Sequence, residues 1–114
     1  KELETKTKNT EKQVYAFSNK VVLHFLTGPD AGKNVPLGYG PRWAGKSSYD
    51  ILLSESFDKT ELFRIEEVDS NLKLVSQHPE HLLVDGKKAS KQESLQDKSI
   101  IEFANTKIQI EILE

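Results

Sequence analysis

With 114 residues, 30% of them charged and 36% hydrophobic, the chain is bounded to one domain with one modest core; its net charge of −2 argues against a nucleic-acid reader or a binder of anionic membranes. No apolar run approaches the roughly 18 residues of a membrane span, and nothing at the N-terminus has the pattern of a signal peptide. The absence of cysteine excludes disulfides, thiolate metal sites and cysteine nucleophiles, and methionine is missing even from position 1, so the sequence is expected to be a piece of a longer protein.

Lys1 to Lys12 alternates Lys, Glu, Thr and Asn with a single leucine and has almost nothing to bury, so residues 1–19 are expected to form a flexible polar tail and residues 20–114 the folded domain. Val21, Leu23 and Phe25 alternate with Val22, His24 and Leu26 in a strand apolar on both faces, which predicts a central position in a sheet. Gly28-Pro29-Asp30-Ala31-Gly32 reverses the chain into a second strand over Lys33 to Leu37. Further strands are predicted at Glu61 to Glu67 and Leu72 to Val75 around a turn at Asp69-Ser70-Asn71. His81 to Val84 and Lys87 to Ala89 flank Asp85-Gly86, the dipeptide that suits a two-residue hairpin. Ser90 to Asp97 is polar with one core candidate, Leu95. The chain closes with Ser99 to Phe103, a turn at Asn105-Thr106, and Lys107 to Leu113, where Ile108, Ile110 and Ile112 alternate with Lys107, Gln109 and Glu111. About ten short strands without a convincing 3.6-residue period predict an all-β antiparallel sandwich or barrel.

Between these strands, Gly40 to Leu53 reads in two incompatible ways. Gly40, Gly45, Lys46 and Ser47 fit the phosphate-cradling pattern G-x-x-x-x-G-K-[ST], and Leu82 to Asp85 resembles the apolar strand whose aspartate holds the metal in a nucleotide-binding protein. The same stretch reads as a strand over Arg42 to Ala44, a Gly-Lys corner, a polar loop from Ser47 to Asp50 and a strand over Ile51 to Leu53. A phosphate loop needs a long helix after it and βαβ repeats around it, and the chain supplies neither, so the strand reading is preferred and nucleotide binding is kept as the outside alternative.

Leu26-Thr27-Gly28, Gly32-Lys33, Val35-Pro36-Leu37, Gly45-Lys46 and Tyr49-Asp50-Ile51-Leu52-Leu53, in that order and spacing, resemble the first half of a forkhead-associated (FHA) domain. The resemblance continues through Leu62 to Ile65, Val84-Asp85-Gly86 and the last two strands, and so spans about Val21 to Leu113. It implies an antiparallel β-sandwich of about ten to eleven short strands that binds phosphothreonine peptides through loops at one end. The departures imply that this site is degraded. The family's Gly-Arg pair is Gly45-Lys46, which keeps a charge and loses the bidentate fork. The family's phosphate-binding serine falls on Lys59, next to Thr60, and its structural histidine on Leu62. Its peptide-reading asparagine and glycine fall near Glu80 and His81, where a carboxylate repels phosphate. FHA-like domains altered in this way are similar to those of the inner-membrane ring proteins of bacterial type III secretion systems, the YscD, PrgH and CdsD group. That similarity implies a non-enzymatic scaffold on the cytoplasmic side of the inner membrane, within a larger membrane protein. Its partners would be copies of itself in a ring and cytoplasmic secretion-apparatus proteins. A genuine phosphothreonine reader is the nearer alternative.

The remaining conspicuous residues point to no chemistry. His24, His78 and His81 lack metal-ligand spacing, no Ser/His/Asp set is identifiable, and Glu66 and Glu67 project to opposite faces, so no metal, cofactor or catalytic residue is expected. Arg42, Trp43, Ser47, Ser48 and Tyr49, with the loop from Ser54 to Thr60, form the candidate partner surface, because tryptophan and arginine are enriched at interface hot spots; a core position is the competing role for Trp43.

Overall fold

A computed structural model describes residues 15–46, 50–55 and 57–113. Among these the chain forms eleven strands: β1 (Tyr15–Thr27), β2 (Asn34–Gly40), β3 (Arg42–Gly45), β4 (Ile51–Leu52), β5 (Phe63–Val68), β6 (Asn71–Val75), β7 (Leu83–Val84), β8 (Lys87–Lys88), β9 (Gln92–Ser94), β10 (Ile100–Phe103) and β11 (Thr106–Leu113). The only helical segment among the described residues is a three-residue 3₁₀ turn, Pro79–His81. One sheet has five strands in the order β9-β6-β5-β3-β4 and the other six in the order β2-β1-β11-β10-β7-β8. All pairings are antiparallel except β3 with β4. The chain is thus the antiparallel β-sandwich that the alternation of its strands predicts.

The core lies between the sheets because each strand turns its apolar set the same way. From the six-stranded sheet come Val21, Leu23 and Phe25 of β1, Ile101 and Phe103 of β10, and Ile108 and Ile110 of β11; from the other come Ala44, Ile51, Phe63, Ile65, Leu72 and Leu74. Phe63 and Phe103 meet across the sandwich with ring centroids 6.0 Å apart. β1 is an interior strand, flanked by β2 and β11, but its second face is not buried: Leu26 is exposed, and His24 is half-buried among polar partners. Among the described residues no element packs on that side, so the doubly apolar pattern does not mark a strand covered on both faces.

The turns follow local chemistry. Asp85 and Gly86 both take positive φ (53° and 82°), the geometry of a two-residue hairpin matched to strand twist, and Asp69 and Ser70 do the same between β5 and β6. The turn after β10 lies at Ala104-Asn105, one residue earlier than predicted, so Thr106 opens β11 and is fully buried. β9 lies in the polar stretch Ser90 to Asp97, to which the sequence assigns no strand, and pairs there with β6 while Leu95 enters the core as expected. His81 belongs to the 3₁₀ turn rather than to β7. β1 begins at Tyr15, five residues before the expected start of the domain, and pairs there with Gly40 and Tyr39. Residues 15–19 are therefore part of the sheet; residues 1–14 of the expected tail lie outside the described residues.

The antiparallel ladder sends the β1–β2 turn, the loops after β3 and β4, the β6–β7 loop and the β10–β11 turn to one end of the sandwich. The hairpins at Asp69-Ser70 and Asp85-Gly86 go to the other.

Candidate functional site

The loop that follows β4 is tied down before it reaches the site. Asp30, in the β1–β2 turn, is almost wholly buried and accepts hydrogen bonds from the Ser54 backbone N–H (2.9 Å), the Ser54 hydroxyl (2.7 Å) and the Lys33 ammonium (2.8 Å). Burial alone raises its pKa, but Lys33 and Ser54 together outweigh it and hold the carboxyl below its ordinary value. Glu55 reaches across to the β10–β11 turn, where it accepts from the Thr106 hydroxyl (2.6 Å), the Asn105 backbone N–H (3.1 Å) and the Asn105 amide (3.2 Å). The Thr106 bond is the main reason that its pKa lies below the usual range.

Gly45 ends β3 against the far side of the same loop. A Cβ at this position would stand 1.8 Å from the Thr60 carbonyl oxygen, so only glycine allows the approach. The Lys46 N–H donates to the Lys59 carbonyl (2.9 Å) and the Leu62 N–H to the Ala44 carbonyl (2.8 Å), so Gly45, Lys46, Lys59 and Thr60 lie side by side. The Lys46 ammonium donates to Asp58 Oδ1 at 3.1 Å, in a pair whose side chains are 60% and 89% exposed. Such a pair holds its geometry weakly, about 0–1 kcal/mol, yet it places a carboxylate beside the one cation of the Gly45-Lys46 corner.

Phe57 and Asp58 both take the left-handed conformation (φ 54° and 59°), and this brings the Phe57 ring onto His81, with centroids 4.1 Å and planes 15° apart. The turn that carries His81 starts at Pro79, and its approach is fixed by buried Ser76, which donates to the Leu62 carbonyl (2.6 Å) and accepts the His78 N–H (2.9 Å). Glu80 Oε2 lies 3.6 Å from His81 Nε2. All six positions inferred from the family pattern, Glu80 included, therefore gather at one end of the sandwich, and Asp58 joins them there.

The candidate partner surface is divided. Strand alternation turns Trp43, half-buried, to the outer face of the five-stranded sheet, whereas Arg42 stays at the rim near β2, its guanidinium 5.9 Å from the Tyr39 ring centre and 3.2 Å from Asp50 Oδ1. Asp50 also accepts the Trp43 backbone N–H (3.2 Å). Ser47, Ser48 and Tyr49 lie outside the described residues.

The nucleotide reading loses both of its supports. No helix follows Gly45 among the described residues, and Asp85 sits in a hairpin at the opposite end, its carboxylate taken by the Ile100 N–H (2.9 Å) and the Ser99 hydroxyl (3.3 Å). The sequence marks Asp30 only as part of a turn and Ser54, Glu55, Phe57 and Asp58 only as part of a loop at the partner surface, with no role for any one of them. Their roles rest on contacts with residues up to 51 positions away, which no local pattern signals.

This fold is that of the forkhead-associated domain. Among solved structures, the FHA domain of an Arabidopsis thaliana hypothetical protein superposes with a TM-score of 0.71 at 19% identity, over 87% of this chain and 91% of that one. The FHA domain of the Chlamydia trachomatis protein CT664 gives 0.69 at 18% identity, over 83% and 99%. The cytoplasmic domain of PscD, a type III secretion sorting-platform protein of P. aeruginosa, gives 0.63 at 20% identity, over 79% and 78%. No family model matches the sequence, and no curated protein matches it.

Proposed function

We propose that this domain is a non-enzymatic protein-interaction module whose phosphothreonine site is degraded. The observation that carries the reading is the charge at the loop end: the cation of the Gly45-Lys46 corner is engaged by Asp58, and Glu80 stands where the family pattern has a peptide-reading amide. A phosphothreonine brings nearly two negative charges and needs several aligned donors to leave water, which the point-charge ammoniums of Lys46 and Lys59, without a bidentate fork and with Asp58 and Glu80 at the same end, do not provide.

The sequence resemblance, together with the likeness to the PscD cytoplasmic domain, supports a finer reading. In it the domain is a scaffold piece of a type III secretion inner-membrane ring protein, on the cytoplasmic side of the bacterial inner membrane. It contacts neighbouring copies of itself and cytoplasmic secretion-apparatus proteins, and reaches the membrane only through segments outside this chain. Membership of the scaffold class is tested by calorimetric titration with matched phosphorylated and unphosphorylated peptide libraries at physiological salt. Phosphothreonine peptides are expected to bind no tighter than about millimolar, near −4 kcal/mol. Micromolar, phosphate-dependent binding that Lys46→Ala abolishes would overturn the reading in favour of a signalling one.

A further inference from the structure

At the end where a phosphate reader gathers cations, this chain sets an aromatic face and two carboxylate residues. Phe57 leaves 41% of its surface in solvent while lying flat on His81. Glu80 precedes His81, its Oε2 3.6 Å from His81 Nε2, and Asp58 follows Phe57 in the chain, so two largely exposed carboxylates (64% and 89%) belong to the residues next to the rings. Two successive left-handed residues are needed to turn the Phe57 ring this way, an arrangement that local preference disfavours and that the tethers on either side of the loop maintain.

Resting on the reading of this end as a surface for unphosphorylated partners, we propose that the Phe57–His81 face, with Glu80 and Asp58, is a docking site for an arginine side chain on a partner protein. Charge complementarity selects a cation, since the Glu80 carboxylate lies beside the His81 ring and the Asp58 carboxylate, on the residue next to Phe57, already draws the Lys46 ammonium. The rings select the kind of cation. A guanidinium is a plane that stacks on an aromatic face and a fork that pairs with carboxylates, so a single arginine meets both features at once. A lysine, a strongly hydrated point charge, is drawn to ring and carboxylate alike but can neither stack flat nor pair bidentately. A phosphate meets repulsion from both carboxylates. Asp58 becomes available when the exposed Lys46 pair opens, and Glu80 when it turns from His81 Nε2, 3.6 Å away.

The test is a titration of the ¹⁵N-labelled chain, at low and at physiological salt, with capped Gly-Arg-Gly, Gly-Lys-Gly, Gly-citrulline-Gly and a phosphothreonine peptide, read as backbone amide shifts. The arginine peptide is expected to give saturable shifts confined to residues 57–59 and 79–82, the lysine peptide to bind at least about threefold more weakly, and the uncharged citrulline peptide to give none. Phe57→Ala and Glu80→Lys are each expected to weaken arginine binding by at least about fivefold; Glu80→Lys, at an exposed position, also preserves the spectrum elsewhere and so separates lost binding from lost folding. Equal binding of arginine and lysine peptides, shifts centred elsewhere, indifference to Glu80→Lys, or no binding by any peptide would each overturn the arginine site and leave the degraded-site reading standing. Micromolar binding of the phosphothreonine peptide would overturn both.

Discussion

Gly45 shows at the scale of one residue what the site requires of the chain. Its neighbour is not a flexible side chain that can swing aside but the Thr60 backbone carbonyl, and the two hydrogen bonds that hold the β4–β5 loop against β3 lie on either side of the contact. Gly45→Ala is expected to cost about 1–3 kcal/mol in urea denaturation, because the loop must move to admit a methyl group. Lys46→Ala, next to it but exposed, is expected to stay within about 0.5 kcal/mol. An alanine variant as stable as the parent would reject the close approach. The sequence marks Gly45 only through a family pattern; its physical reason is Thr60, and a contact between two loops leaves no periodic trace. Phe57 is legible only as part of the Ser54 to Thr60 loop, for the same reason. A lone aromatic in a polar loop reads as noise until His81 is placed beneath it.

Among the elements, β11 was the most legible. Its isoleucines alternate strictly with polar residues, and Ile108 and Ile110 are fully buried while Gln109 stands on the other face opposite His24. Ile110→Ala is therefore expected to cost about 2–5 kcal/mol and Gln109→Ala no more than about 0.5, by chemical denaturation; similar losses at both would mean that the faces are reversed. Turn chemistry made the β7–β8 and β5–β6 hairpins equally plain. The opposite case is β9, whose Gln92, Glu93 and Ser94 carry no apolar period and which exists because Val75, Leu74 and Lys73 of β6 offer it a ladder. The first residues of β1 are similar. Ser18 is held by Glu67, 49 residues away, through its backbone N–H at 3.0 Å and its hydroxyl at 3.1 Å, and a polar sequence gives no sign of such an anchor.

For the whole molecule, the succession of weak motifs was more informative than any one of them, because the order of strands and turns constrains the sandwich even where single strands are too short to read. Loop geometry stayed hidden, and with it the pairing of Lys46 with Asp58. Global stability also depends on one cross-strand cluster on the open face of the six-stranded sheet. His24 Nε2 lies 2.7 Å from Glu111 Oε1 and its Nδ1 2.6 Å from Asn34 Oδ1, so both ring nitrogens face acceptors and the protonated ring satisfies both. The Glu111 hydrogen bond, then that of Asn34, raises the His24 pKa above its ordinary 6.5. A raised folded-state value means that the cluster's contribution is complete below about pH 6.5 and is lost as pH climbs through the folded value. The melting temperature is expected to fall across that interval, and Glu111→Gln is expected to flatten the dependence; an unchanged profile in the variant would dismiss the cluster as its source.

The two anchors of the β4–β5 loop, one a carboxylate and one a backbone contact, have a consequence for how such a surface diversifies. Glu55 fixes the loop where it leaves the sandwich, and the Gly45 corner fixes it where it returns, so residues 57–59 hang between two posts that belong to the scaffold rather than to the surface. Substitutions in that short span rewrite what the end of the molecule presents while every strand keeps its neighbours. One sandwich can then exchange partners through a few mutations, and its stability acts as a bystander to the change.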